Sequence, residues 1–135
     1  MKRTLFDNVA VVIGAEKAVD REGFLSAVFA VSVGAITGNP TAAKLSVKVE
    51  HCDTAAGEFE PVPDTKMDPD ATTLNGILKE VAVSSGQELK MNLDLLGCKR
   101  FIKITPTISF TGGSSPAAAN AAYALVMGDP TQAPV

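Results

Sequence analysis

One stretch of this chain gathers four side chains that take part in catalysis and metal binding elsewhere: Glu50, His51, Cys52 and Asp53. Histidine and cysteine serve as metal ligands and, together, as a nucleophile with its base. Their adjacency works against both uses here. The preceding residues, Lys44-Leu45-Ser46-Val47-Lys48-Val49, alternate polar and apolar, which predicts a strand. Neighbours on a strand point to opposite faces, so His51 and Cys52 cannot hold one ion from it. Nor does adjacency along a strand bring thiol and imidazole together. His51, the single histidine, is expected as a solvated side chain at a strand end.

The remaining constellations are weaker still. Asp64, Asp68 and Asp70 lie close in sequence to Glu58 and Glu60. Oxygen-rich loops bind Ca²⁺, but this one lacks the helix–loop–helix spacing and a glycine at the turn position. It reads as a solvated acidic loop. Gly112-Gly113-Ser114-Ser115 has the glycines of a phosphate cradle without the Gly-Lys-Ser/Thr ending or a convincing helix after it. The 15 acids scatter over loops and outer strand faces, so no acid–base pair emerges. The expectation is a protein that is not an enzyme, with no catalytic residue, cofactor or metal ligand. Cys52 and Cys98 fit free thiols, and whether they meet is open at this stage.

Composition narrows the class further. A chain of 135 residues makes one domain and buries roughly two thirds of its unfolded surface. Hydrophobic residues are 46% but aromatic ones only 5%, so the core is built from Val, Leu, Ile and Ala. So few aromatic rings argue against a stacking platform for sugars or single-stranded bases. The net charge of −3 and scattered Lys and Arg argue against nucleic acid, whose binding needs a basic stripe. The apolar stretch Val9 to Ala15 runs into Glu16 and Lys17 rather than a cleavage site, so no signal peptide is expected. Residues 24 to 36 are too few to cross a bilayer as a helix. No membrane partner is expected.

Alternation is the strongest pattern. Lys44 to Glu50 and Glu88 to Leu95 switch between polar and apolar at every step, one face buried and one wet, and Lys99 to Ile104 reads as a third strand of this kind. Lys44, Lys48, Lys90 and Lys103 fall on the wet faces. Further strands are expected over residues 4 to 13, 24 to 36, 58 to 62, 77 to 83 and 121 to 127. The strand from Phe24 buries its odd positions. Its even ones, Ser26, Val28, Ala30 and Ser32, are small or moderately apolar. That face is only partly wet, covered by a second protein surface or a loop of the same chain. Pro61 and Pro63 demote the return strand to an edge, and Pro106 is expected to interrupt its ladder. Leu96-Gly97 is expected as a tight hairpin or a glycine bulge, and Thr111 to Asn120 as a flexible loop. Gly128-Asp129-Pro130 is expected to end the last strand. No convincing helix is present; Ala117 to Met127 is the best candidate and reads better as strand. The fold class is all-β: a single-domain antiparallel β-sandwich, jelly-roll-like, over 1–135. Residues 1–7 are expected as a flexible N-terminal arm and 128–135 as a C-terminal tail.

The order of these elements carries a resemblance. Gly97-Cys98-Lys99-Arg100-Phe101-Ile102-Lys103-Ile104 and the closing Gly128-Asp129-Pro130 resemble motifs shared by small virion proteins of tailed bacteriophages and prophages, encoded among the head-assembly genes. The likeness spans about Asp20 to Pro130. Phe101 stands where many relatives have Tyr, and the alanine-rich loop before the last strand is longer. The resemblance implies a capsid decoration, cement or minor capsid protein on the virion exterior, made in the host cytoplasm. Its implied partners are the major capsid protein and itself, as a homo-oligomer (dimer or trimer). A head–tail completion or tail protein, or a receptor- or carbohydrate-binding sandwich of the tail tip, are the alternatives. Contacts are expected from arms and loops, which reach neighbours more readily than packed strands do. The candidates are Leu5, Phe6, Asp64, Met67, Asp68, Pro130 and Val135.

Overall fold

Strands account for every regular element in the computed structural model, which describes residues 8–63 and 76–131. They are β1 (Ala10–Ile13), β2 (Val19–Asp20), β3 (Phe24–Ser32), β4 (Ala35–Thr37), β5 (Ala42–Cys52) and β6 (Glu60–Pro61). After these come β7 (Ile77–Ala82), β8 (Glu88–Asp94), β9 (Phe101–Thr111), β10 (Ala117–Ala119) and β11 (Ala122–Pro130). One sheet has the order β1-β11-β3-β8 and the other β2-β9-β5-β6, with β7 also on β5. All pairings are antiparallel. Most consecutive strands cross from one sheet to the other, and β6 and β7 share one edge of β5. This is the jelly-roll order, with a β4–β10 ribbon added outside it.

Period-two alternation decides which side chains meet between the sheets. Leu45, Val47 and Val49 of β5 and Leu93 of β8 are fully buried, and Phe29 of β3 and Ile102 of β9 join them. The core is mainly aliphatic, and within it Phe29 and Tyr123 stack with ring centroids 6.1 Å apart. Burial pushes the Tyr123 hydroxyl's pKa up.

Four local expectations need correction. Pro106 does not interrupt its strand, for β9 runs unbroken past it, opposite Val47. The carbonyl of Ile104 accepts from the Glu16 N–H, on the side away from β5. Two residues on, Pro106 faces that same outer side, so the N–H it lacks is not one the β5 ladder needs. Leu96-Gly97 is neither hairpin nor bulge, because β8 and β9 belong to different sheets and this segment crosses between them. Residues 112–119 are held rather than loose: Ser114 N–H donates to the Gly38 carbonyl at 2.8 Å, and β10 pairs with β4. Finally, β11 continues to Pro130, opposite Phe24.

Glycine is indispensable at one corner of the β4–β10 ribbon. Gly34 has φ +73°, and a Cβ there would strike the Ala119 carbonyl oxygen.

Candidate functional site

The crossover from β8 to β9 gathers most of the polar chemistry, and its contacts bind the fold together. His51 lies on the core face of β5 and is 6% exposed, so the expectation of a solvated side chain is overturned. Its Nδ1 accepts the Lys99 N–H at 3.0 Å. That backbone donor explains why a histidine sits inside. Burial, with the Lys99 charge adding to it, holds the His51 pKa below its ordinary 6.5. Arg21 Nη2 donates to the Cys98 carbonyl at 2.5 Å, and Arg100 reaches Asp20 at 2.9 Å and Glu22 at 3.1 Å. The hydrogen bond from Arg100 lowers the Asp20 pKa. Lys99 pairs with Glu60. The Gly-x-Lys-Arg-aromatic run is therefore a fastening of the crossover to the β2-β9-β5-β6 sheet and the β2–β3 loop.

The remaining chemistry-bearing residues do not converge. Cys52 points to the opposite face of β5 from His51 and Cys98 is buried; neither is in a disulfide. Burial pushes the Cys98 thiol up to about 11. Among the described residues no three His, Cys, Asp or Glu side chains group as metal ligands. Gly112-Gly113-Ser114-Ser115 is a turn packed on residues 38–41. Of the expected contact residues, Leu5, Phe6, Asp64, Met67, Asp68 and Val135 lie outside the described residues, as do Asp70 and most of the acidic loop. Pro130 is half-buried at the end of β11, where the Thr131 N–H donates to the Gly23 carbonyl at 2.8 Å.

The outward faces of the two sheets differ sharply. Around β5 and β9 the outer positions include Lys44, Lys48, Glu50, Lys103 and Ser109, with ion pairs Lys44–Glu80 (2.9 Å) and Lys48–Glu50 (3.7 Å), and the two rings there, Phe101 and Phe59, lie under the cations of Arg100 and Lys103. The outer face of β1-β11-β3-β8 is apolar across three strands. Register sets Val11, Val126 and Val28 side by side in one row, and Ile13, Ala124 and Ala30 in the next. Val11 is 56% and Ile13 72% exposed. Along β8 the same rows end in Asn92 and Lys90, flanked by Asp94 and Glu88, all exposed. The apolar field thus has a charged border on one side. A hollow of about 610 Å³ lies over it, bordered by Ile13, Ala30, Ser32, Lys90, Tyr123 and Ala124. Among the described residues no aromatic ring stands on this face, since Tyr123 turns inward onto Phe29.

Sequence reasoning reached one strand of this face, through the even positions of β3, and missed the rest. The signal was present: Val9 to Ile13 and Ala121 to Met127 are apolar in both phases of the strand period. Such runs belong to strands with neither face fully wet.

No protein-family profile matches this chain, and no curated protein matches it in sequence. Several solved structures resemble it in shape, two of them as follows. The SPBc2 prophage-derived protein YomS has 9% identity over 88% of this chain and 93% of its own, with a TM-score of 0.39. The CBM22-1–GH10 modules of Clostridium thermocellum endo-1,4-β-D-xylanase 10B, complexed with xylohexaose, have 10% identity over 94% of this chain and a TM-score of 0.41. This chain spans 27% of that one. At these identities and scores the likeness says nothing about function.

Proposed function

We propose that this chain is a structural virion protein of the tailed-phage type, which docks on the capsid exterior as a decoration, cement or minor capsid protein. The observation that carries the reading is the contrast between its two outer faces. One is charged and hydrated; the other is apolar across three adjacent strands with a charged border. An apolar field with a polar rim is the make-up of a protein-docking surface. The resemblance of Asp20 to Pro130 to head-region virion proteins supplies the kind of partner, a repeating shell, where many weakly held copies share a lattice. Among the described residues the face carries no aromatic ring for a sugar to stack on.

Co-sedimentation with particles purified from the host that makes this protein tests the reading. Val28→Lys puts a charge in the middle of the apolar face and is expected to abolish co-sedimentation with little change in melting temperature. Lys44→Ala, on the hydrated face, is expected to leave it intact. Undiminished co-sedimentation of the Val28 variant would count against docking through this face. Particles that lack the polypeptide would remove the virion role. A copy number fitting a single ring would move the protein to the head–tail junction.

A further inference from the structure

The sheet that bears the apolar face ends in β1, whose outer edge has no strand beside it among the described residues. Register fixes where its amides point. The Gly14 N–H donates to the Tyr123 carbonyl at 2.8 Å, so Gly14, Val12 and Ala10 exchange hydrogen bonds with β11. Hydrogen-bonded pairs alternate in an antiparallel ladder, so Val11 and Ile13 aim their N–H and C=O groups outward. Lys17 Nζ donates to the Ile13 carbonyl from that side at 2.7 Å, in agreement. These are also the two residues of β1 with exposed hydrophobic side chains.

In the two main sheets the other outer strands are guarded against strand addition. Glu88, Lys90 and Asp94 line β8, Lys79 and Glu80 lie on β7, Pro61 sits in β6, and β9 turns Pro106 to its open side. The sequence of β1, Ala-Val-Val-Ile, has neither charge nor proline, and the one charged group on its edge, the exposed Lys17 ammonium on the Ile13 carbonyl, belongs to a flexible side chain that swings aside when a strand adds.

We infer that β1 pairs edge to edge with β1 of a second copy, antiparallel across a two-fold axis normal to the sheet. The outward amides of Val11 and Ile13 find complementary groups, since an antiparallel strand edge is its own complement. Val11 then stands opposite Val11 or Ile13 of the second copy, and all four side chains fall on the apolar face. Two four-stranded sheets become one of twice the width. The doubled sheet offers twice the apolar area to one docking event, and a standard interface takes roughly 800 Å² of accessible surface from each partner. This use of the doubled face rests on the docking role proposed above; the pairing itself does not.

The test uses the full chain in solution. Sedimentation equilibrium across a concentration series is expected to show a monomer–dimer equilibrium. Amide exchange by NMR is expected to slow at Val11 and Ile13 as the dimer fills, with no change along β8. Val11→Pro removes an N–H that β11 does not use, and is expected to give a monomer that melts like wild type. Should proline at that position unfold β1, Ile13→Lys sets like charges near each other across the axis and is expected to give the same monomer. A wild-type chain that stays monomeric throughout the series overturns the pairing. So does a dimer in which Val11 and Ile13 exchange as fast as in the monomer. Val28→Lys separates the two readings, because it is expected to keep the dimer while losing the capsid. If that variant still docks, the docking face is wrong and the β1 pairing stands.

Discussion

Acidification from neutral pH should weaken this protein through His51 before its carboxylates respond. In the folded chain the Nδ1 lone pair is committed to the Lys99 N–H, and burial holds the pKa below the ordinary 6.5. Between that ordinary value and the lower folded one, the unfolded chain binds a proton that the folded chain refuses. Stability is therefore full above about pH 6.5 and is lost as pH falls toward the folded value, by at most about 1.4 kcal/mol per pH unit. Asp20 and Glu60, both with pKa values lowered by cationic partners, give up their contributions only further down, below about pH 4. The window between is His51's own. His51→Phe removes the acceptor and leaves the Lys99 N–H without its partner, at a cost of about 1–3 kcal/mol at pH 7. His51→Gln retains an acceptor that does not titrate and should flatten the slope. Urea unfolding at closely spaced pH values reads all three chains, and for a slope of 1–3 kcal/mol per molar urea the midpoint moves by roughly 0.5 M per kcal/mol. The reasoning fails if wild type gains stability between pH 6.5 and 5, or if the Gln variant keeps the full slope.

Other outcomes follow from packing and strain. Gly23 and Gly34 both have positive φ, but a Cβ at Gly23 meets nothing within 4 Å, whereas at Gly34 it strikes backbone. Thermal melts should show Gly23→Ala costing about 1–2 kcal/mol, the conformational penalty alone, and Gly34→Ala costing far more; equal losses would deny the tight corner. Leu45, fully buried between the sheets, should cost about 2–5 kcal/mol as Ala in chemical denaturation. A thiol reagent should modify Cys52 on the folded protein and reach Cys98 only in denaturant, because Cys98 is buried with its pKa near 11; prompt modification of both would show that the crossover opens.

The strands were legible because alternation is a local signal. Lys44 to Glu50 and Glu88 to Asp94 announce both their conformation and their buried side, and the structure keeps both. What alternation does not encode is the neighbour across the ladder. β8 and β9 are adjacent in sequence and sit in opposite sheets, a fact set by the contacts of residues 95–100 with Arg21 and His51. Pro106 misled for the same reason: proline breaks a ladder only when a partner strand lies on its nitrogen side, and that depends on sheet order. His51 misled because a polar residue near a strand end is usually wet, and its buried partner is a main-chain N–H 48 residues away. The apolar face was half legible, as runs hydrophobic in both phases, but only register across β1, β11 and β3 turns those runs into one surface.

The strand at one end of this sequence closes its sheet against the strand at the other, Ala10 lying opposite Met127. A ribosome making the chain must translate through residue 130 before β1 or β3 has its central neighbour, so until then that half of the sandwich waits open. This half of the sandwich is for this reason the later to close, with the slow kinetics of distant pairings. Until β11 arrives, the inward side chains of β1 and β3 lack the neighbour that covers them, and exposed apolar surface of this kind is what makes a partly folded chain prone to aggregate.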